Sequence, residues 1–216
     1  MLPTPEIPLL PESVYEPAED SYLLLDCMEL CISGLQERKY PIVCEIGSGS
    51  GIVSTFLKAN VFPKGLFFAT DLNPNACEAV IATYNANCSQ QKFNTFDVLQ
   101  MSLTLSIRPN VVDVLVFNPP YVPAEVVPDV PTTRDHYTWL DLALLGGEDG
   151  MEVTWIVLLN LEKILSRDGV AYILFCARNN PDKVEELMKQ RGWSVRVIEK
   201  RKAGWEVLSV LEFKRS

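Results

Sequence analysis

Short apolar runs rich in β-branched and aromatic residues alternate along this chain with longer segments of helical periodicity, which predicts βαβ units on a parallel sheet. Leu23, Leu24, Cys27, Leu30 and Cys31 recur at helical spacing, predicting a first helix over about residues 19–35. Strands are expected at Ile42–Ile46, Leu66–Thr70, Phe93–Phe96 and Val111–Phe117, each halted by Gly, Asp or Asn. Helices are expected over about 52–60, 74–87, 151–165 and 181–190, the second opened by Asn73 as N-cap and Pro74 as first helical residue. A strand at Val170–Cys176 and a closing antiparallel hairpin, Trp193–Glu199 with Trp205–Phe213, complete seven strands. Between Tyr121 and Thr138 runs a proline-rich connection too long for an ordinary loop, which marks it as functional.

The expected fold is therefore α/β, a mostly parallel seven-stranded sheet with a terminal antiparallel hairpin and helices on both faces. At 216 residues, without repeats or low-complexity tracts, the chain reads as one domain, 1–216. No apolar run reaches the roughly 20 residues of a membrane helix. Residues 1–11 lack the basic and apolar blocks of a signal peptide, so a cytoplasmic location, with or without a nuclear share, is expected. The six cysteines are scattered and there is one histidine, His136, in a polar loop, so no metal site is expected in this chain. A net charge of −9 repels phosphate backbones and argues against a nucleic-acid partner. The basic trio Lys200-Arg201-Lys202 in the hairpin is too short to offset it.

Glu45-Ile46-Gly47-Ser48-Gly49-Ser50-Gly51 lies between the first strand and its helix, where open α/β sheets bind ligands. Ile52-Val53 stands where a phosphate loop needs Lys and Ser or Thr, and Ile52 where a dinucleotide loop needs Gly or Ala. About 20 residues on, Asp71 ends the second strand, the position of an acid that takes ribose hydroxyls. Asp97 is expected to end the third strand and accept from an exocyclic amine such as the adenine N6. Glu45 accepts from loop amides or holds an ammonium group.

Asn118-Pro119-Pro120-Tyr121 follows the most apolar strand. The two prolines remove two N–H donors, leaving nearby carbonyls without their usual partners. The Asn118 side-chain oxygen and the Pro119 carbonyl can both accept from one –NH2 group. Two acceptors drawing its protons out of plane free a delocalised lone pair for attack on an electrophilic methyl, and Tyr121 can stack on the planar acceptor.

On these residues the chain resembles the HemK-type branch of class I methyltransferases, above all its eukaryotic members that methylate a release-factor glutamine. The matching blocks are Val14-Tyr15-Glu16-Pro17-Ala18-Glu19-Asp20-Ser21, Glu45 to Gly51, Asp71-Leu72-Asn73-Pro74, Asn118 to Tyr121, and Gly146-Gly147-Glu148-Asp149-Gly150. The resemblance implies S-adenosyl-L-methionine as cofactor, with Tyr15, Pro17, Ser21, Glu45, Gly47, Gly49, Asp71, Leu72, Asp97, Val98 and Asn118 around it. It implies Asn118, Pro119 and Tyr121 at the acceptor, and residues 1–40 as a helical cap over the cofactor. The implied acceptor is the glutamine in the GGQ loop of a class 1 translation release factor, alone or with its GTPase partner. The implied partner is a small zinc-binding activator forming a heterodimer, to which Leu66-Phe67-Phe68, Phe93 and Phe96 would offer an apolar edge. The motif alone serves N6-adenine methylation equally well and lysine methylation less naturally; an inactive scaffold or an NAD-dependent dehydrogenase fits the residues poorly.

Overall fold

The computed structural model describes residues 1–89 and 95–216. Seven strands form one sheet in the order β3-β2-β1-β4-β5-β7-β6. They are β1 (Ile42–Ile46), β2 (Leu66–Asp71), β3 (Phe96–Gln100), β4 (Val112–Phe117), β5 (Leu165–Cys176), β6 (Trp193–Ala203) and β7 (Glu206–Arg215). Among the first five, pairing is parallel; β7 inserts antiparallel between β5 and β6, so the hairpin is woven into the sheet. The helices are α1 (Glu19–Leu30), α2 (Ile32–Leu35), α3 (Ile52–Phe56), α4 (Pro74–Cys88), α5 (Thr138–Leu144), α6 (Glu152–Ile164) and α7 (Pro181–Gln190).

The central strands are apolar at nearly every position because both faces are covered. On β4, Val114 and Val116 enter one core with Leu23, Leu24 and Met28 of α1 and Phe56 of α3. Leu115 and Phe117 enter the other core with Leu158 and Leu161 of α6 and Val184 and Met188 of α7. Burying each such side chain stabilises the fold by roughly 1.5–3 kcal/mol. Helix α1 is thus part of a core as well as lying beside the cleft described below, and Arg201 of β6 ties to its Asp26 at 2.7 Å.

Several expected boundaries move. The first helix breaks at Cys31 (ψ 1°), and Ile32–Leu35 resume as the single short turn α2. The helix after the glycine loop widens into a π turn at Leu57–Val61, where buried Lys58 donates to Gly65 O at 3.0 Å and Thr95 Oγ1 at 2.7 Å. Helix α5, built on Trp139 and the leucines after it, was hidden behind the prolines that read as loop. The third strand starts at Phe96; of its expected span, Phe93 and Asn94 lie outside the described residues.

The strand order reverses between β1 and β4, which opens a crevice at their carboxyl ends. Ile46 pairs with Phe117 and with Thr70, so Gly47, Asn118 and Asp71 lie at one level at the carboxyl end of the sheet.

Candidate active site

A cleft opens at that reversal, floored by the glycine loop and by Asn118 to Tyr121. Gly47, Gly49 and Gly51 all take positive φ (62°, 51° and 77°), so the loop doubles back tightly beneath it. Asp71 organises the turn: its Oδ2 accepts from Gly49 N and its Oδ1 from Asn73 N, both at 2.9 Å. Burial raises the Asp71 carboxyl above its usual range, against the pull of these amides. Asn73 caps α4 as expected, its Oδ1 accepting from Asn75 N at 2.9 Å. Glu45 is buried, accepts from Ser54 N at 2.8 Å, and is pushed up to about 8, chiefly by desolvation.

At the other side of the cleft, Asn118 Nδ2 donates to Asp20 Oδ2 at 3.1 Å. Its Oδ1 is buried and has no hydrogen-bond partner among the described residues. A buried acceptor left open costs of the order of 1–3 kcal/mol, and such an atom in a cleft points to a ligand donor. Tyr15 donates to the same Asp20 oxygen at 3.0 Å, and Ser21 donates to Asp20 Oδ1 through its amide at 2.6 Å and its hydroxyl at 3.2 Å. Tyr121 lines the cleft and its hydroxyl donates to Glu206 Oε2 at 3.3 Å.

The Gly146-Gly147-x-x-Gly150 segment props this backbone from behind. A Cβ on Gly146 would collide with the Pro120 carbonyl, and one on Gly150 with the Tyr121 carbonyl. Asn179, buried, donates to that same Tyr121 carbonyl at 3.0 Å. Val122 N bonds Leu144 O and Gly146 N bonds Val122 O, both at 2.9 Å, pinning the long loop back beside the motif. Trp139 lines the cleft while its indole donates to Thr133 O at 2.9 Å, so it both flanks the site and anchors the loop.

Of the residues expected around a cofactor, Tyr15, Ser21, Glu45, Gly47, Gly49, Asp71, Leu72 and Asn118 line the cleft, as do Pro119 and Tyr121. Pro17, Asp97 and Val98 do not line it. Asp97 is the second residue of β3, opposite Phe68, and is exposed, with its carboxylate on the amide of Val98 at 3.1 Å. The strand pairs with β2 up to Gln100, opposite Asp71, so Met101, Ser102 and Leu103 reach the cleft instead. His136 is exposed in the loop and stacks on Tyr137. Sequence reading assigned no role to Asp20, Asn179 or Glu206, because their partners lie 98, 58 and 85 residues away.

No protein-family model matches the chain. It is 39% identical over 212 residues to the eRF1 methyltransferase catalytic subunit mtq2 of Schizosaccharomyces pombe, covering 94% of this chain and 90% of that one. It is 36% identical over 206 residues, with the same coverage, to Methyltransferase HEMK2 of Homo sapiens. The chain belongs to the HEMK2/Mtq2 methyltransferase family. Among solved structures, the E. cuniculi Mtq2–Trm112 complex, responsible for methylation of the eRF1 translation termination factor, superimposes with a TM-score of 0.68. It is 26% identical and is covered over 94% of this chain and 99% of that one. The METTL16 methyltransferase domain shares the fold at a TM-score of 0.65 and 15% identity, over 97% of this chain and 73% of that one. As a HEMK2/Mtq2 family member, the chain requires a methyl donor, and the cleft that carries its Asn-Pro-Pro-Tyr block sits at the switch point of its sheet.

Proposed function

We propose that this chain transfers a methyl group from S-adenosyl-L-methionine to the side-chain amide nitrogen of the glutamine in the GGQ loop of a class 1 translation release factor. The observation that carries this reading is the buried, unpartnered Asn118 Oδ1. It is an acceptor held ready for a donor, in a cleft whose acids suit a cationic, hydroxyl-bearing cofactor.

The bound cofactor would supply an electrophilic methyl on a sulfonium sulfur. Each Asp71 oxygen, holding one backbone amide already, keeps a lone pair for a ribose hydroxyl. Glu45, buried beneath the cleft, suits the ammonium of the amino-acid part, since a nearby cation restores the carboxylate that burial disfavours. Leu72, Met101 and Leu103 offer apolar surface for the adenine. Asn118 Oδ1 and the Pro119 carbonyl accept hydrogen bonds from the two N–H groups of the acceptor –NH2, drawing them from the amide plane and localising the nitrogen lone pair, and the nitrogen that gains the methyl would give up one of these protons to solvent. Orientation does the chemistry, and no strong base is asked for.

The likeness to the Mtq2–Trm112 complex supports a heterodimer; its partner would be a small zinc-binding protein, and the release factor would be met alone or with its GTPase partner. β3 is an edge strand beside exposed Leu66 and half-buried Phe68, where such a partner would cover apolar surface. Phe67 is spent in the core and Phe96 stacks on Tyr84, so the offered edge is narrower than the sequence implied.

The test is to co-express the chain with the zinc-binding partner and supply methyl-labelled S-adenosylmethionine. Release factor, its variant with the GGQ glutamine changed to Arg, and duplex DNA are offered in parallel. Label entering only the unmodified factor is expected; label entering DNA alone would move the acceptor to adenine.

A further inference from the structure

An asparagine amide is nearly symmetric in shape, and a half-turn about its last bond exchanges the acceptor oxygen with the donor nitrogen. For Asn118 the two orientations have opposite chemistry. With Oδ1 towards the cleft it accepts from an incoming –NH2; with Nδ2 there it opposes donor to donor. Since the side chain is one residue beyond β4 and backed by the sheet, something must choose between them.

We infer that Asp20 is the positioning residue that makes this choice, its carboxylate engaging Asn118 Nδ2 so that Oδ1 is the end of the amide left for the acceptor nitrogen. Asp20 Oδ2 lies 3.1 Å from Asn118 Nδ2. The turned orientation would set Oδ1 against that oxygen, two acceptors at hydrogen-bond distance with no proton between them. The carboxylate itself cannot yield. It is 3% exposed and sits in the first turn of α1, where the helix favours negative charge. The Tyr15 hydroxyl and the Ser21 amide and hydroxyl fix both of its oxygens. Tyr15 and Ser21 therefore bear on the acceptor through Asp20, besides bordering the cleft themselves. This inference rests on the reading of Asn118 as the acceptor of amide protons.

The test uses the complex with the small partner and three variants, D20N, N118D and D20N/N118D. An asparagine in place of Asp20 can present either oxygen or nitrogen, so it no longer selects. D20N is expected to lower kcat about 100-fold, the scale of misplacing a reacting group by an ångström. KM for the release factor should change less than about threefold, because binding of the remote surface is untouched. In the double variant the hydrogen bond re-forms with its polarity reversed. The amide introduced on α1 donates to one oxygen of the carboxylate introduced after β4, and the other oxygen faces the cleft as an acceptor. The double variant is expected to exceed N118D alone by about tenfold or more, where independent effects would multiply to a deeper loss. Wild-type kcat in D20N, or a double variant at the product of the single losses, overturns the inference. A second readout needs no substrate. The Asn118 side-chain amide protons, followed by nitrogen-15 NMR, should exchange with solvent at least about tenfold faster in D20N than in wild type. Unchanged exchange overturns the inference whether or not the wild-type chain methylates the release factor, which separates its failure from that of the functional reading.

Discussion

Gly150 and Tyr121 meet backbone to backbone, with no room between them for a Cβ on the glycine. Gly150 also holds φ +67°, a conformation other residues adopt only under strain. The contact fixes the carbonyl that follows the two prolines, and Asn179 donates to the same carbonyl at 3.0 Å. The end of the Asn118–Tyr121 motif thus owes its shape to a segment that does not itself line the cleft.

Substituting Gly150→Ala is expected to destabilise the chain by about 1–3 kcal/mol through strain and displacement of Tyr121. The melting temperature should fall several degrees, at roughly 2–4 °C per kcal/mol for a chain of this size. Turnover should fall further than stability explains, while cofactor affinity, which the proposed function assigns to Asp71 and the glycine loop, should stay near wild type. Parallel calorimetry and kinetics check both halves.

Glu45 gives the site a pH dependence of definite sign. Its folded value of about 8 lies above the ordinary 4.5. The free chain therefore holds a proton that the unfolded chain releases, and this group's contribution to stability falls as pH rises from about 4.5 to about 8. Binding of a cationic cofactor runs the other way. It requires the carboxylate, so affinity should strengthen between about pH 6.5 and 8.5 with release of a proton. Titration calorimetry in buffers of different ionisation enthalpy measures that proton. In Glu45→Gln the proton release should vanish and the apo protein should gain stability above pH 8 relative to wild type.

Asp71 and Asp97 are expected to part company. Asp71→Ala removes an acceptor of two backbone amides and should weaken cofactor binding roughly 10–100-fold, the scale of one or two charge-assisted hydrogen bonds. Asp97→Ala touches an exposed side chain outside the cleft and should leave the affinity within about twofold. Equal losses in the two variants would place Asp97 at the cofactor and the end of β3 elsewhere.

How much of this could be read from the chain depends on how local the signal is. The glycine loop, Asp71 and Asn118-Pro119-Pro120-Tyr121 each follow a strand directly, so strand, turn and chemistry share one window of sequence. Asn73-Pro74 announces α4 in the same way, and its cap is in place. The end of β3 was misplaced because a short strand's register is set by its neighbour: pairing with β2 carries it to Gln100, four residues past the end that sequence suggests. The Asp20 contact to Asn118 spans 98 residues and leaves no mark in either segment beyond an acid at a helix start. Helix α5 did leave one, in Trp139-Leu140 and Leu142 to Leu145, but the preceding run of prolines outweighed it.

The central claim is that Asn118 orients an amide nitrogen through a waiting acceptor, and single-turnover kinetics of Asn118→Ala in the partnered complex test it most directly. With enzyme, labelled cofactor and release factor premixed at saturating concentrations, methyl transfer should slow by about 100-fold or more, as when one preorganised group is removed from a transition state. Cofactor affinity should change only a fewfold, because Asp71, Glu45 and the loop remain. Transfer at the wild-type rate by Asn118→Ala would contradict the account, whatever the acceptor proves to be.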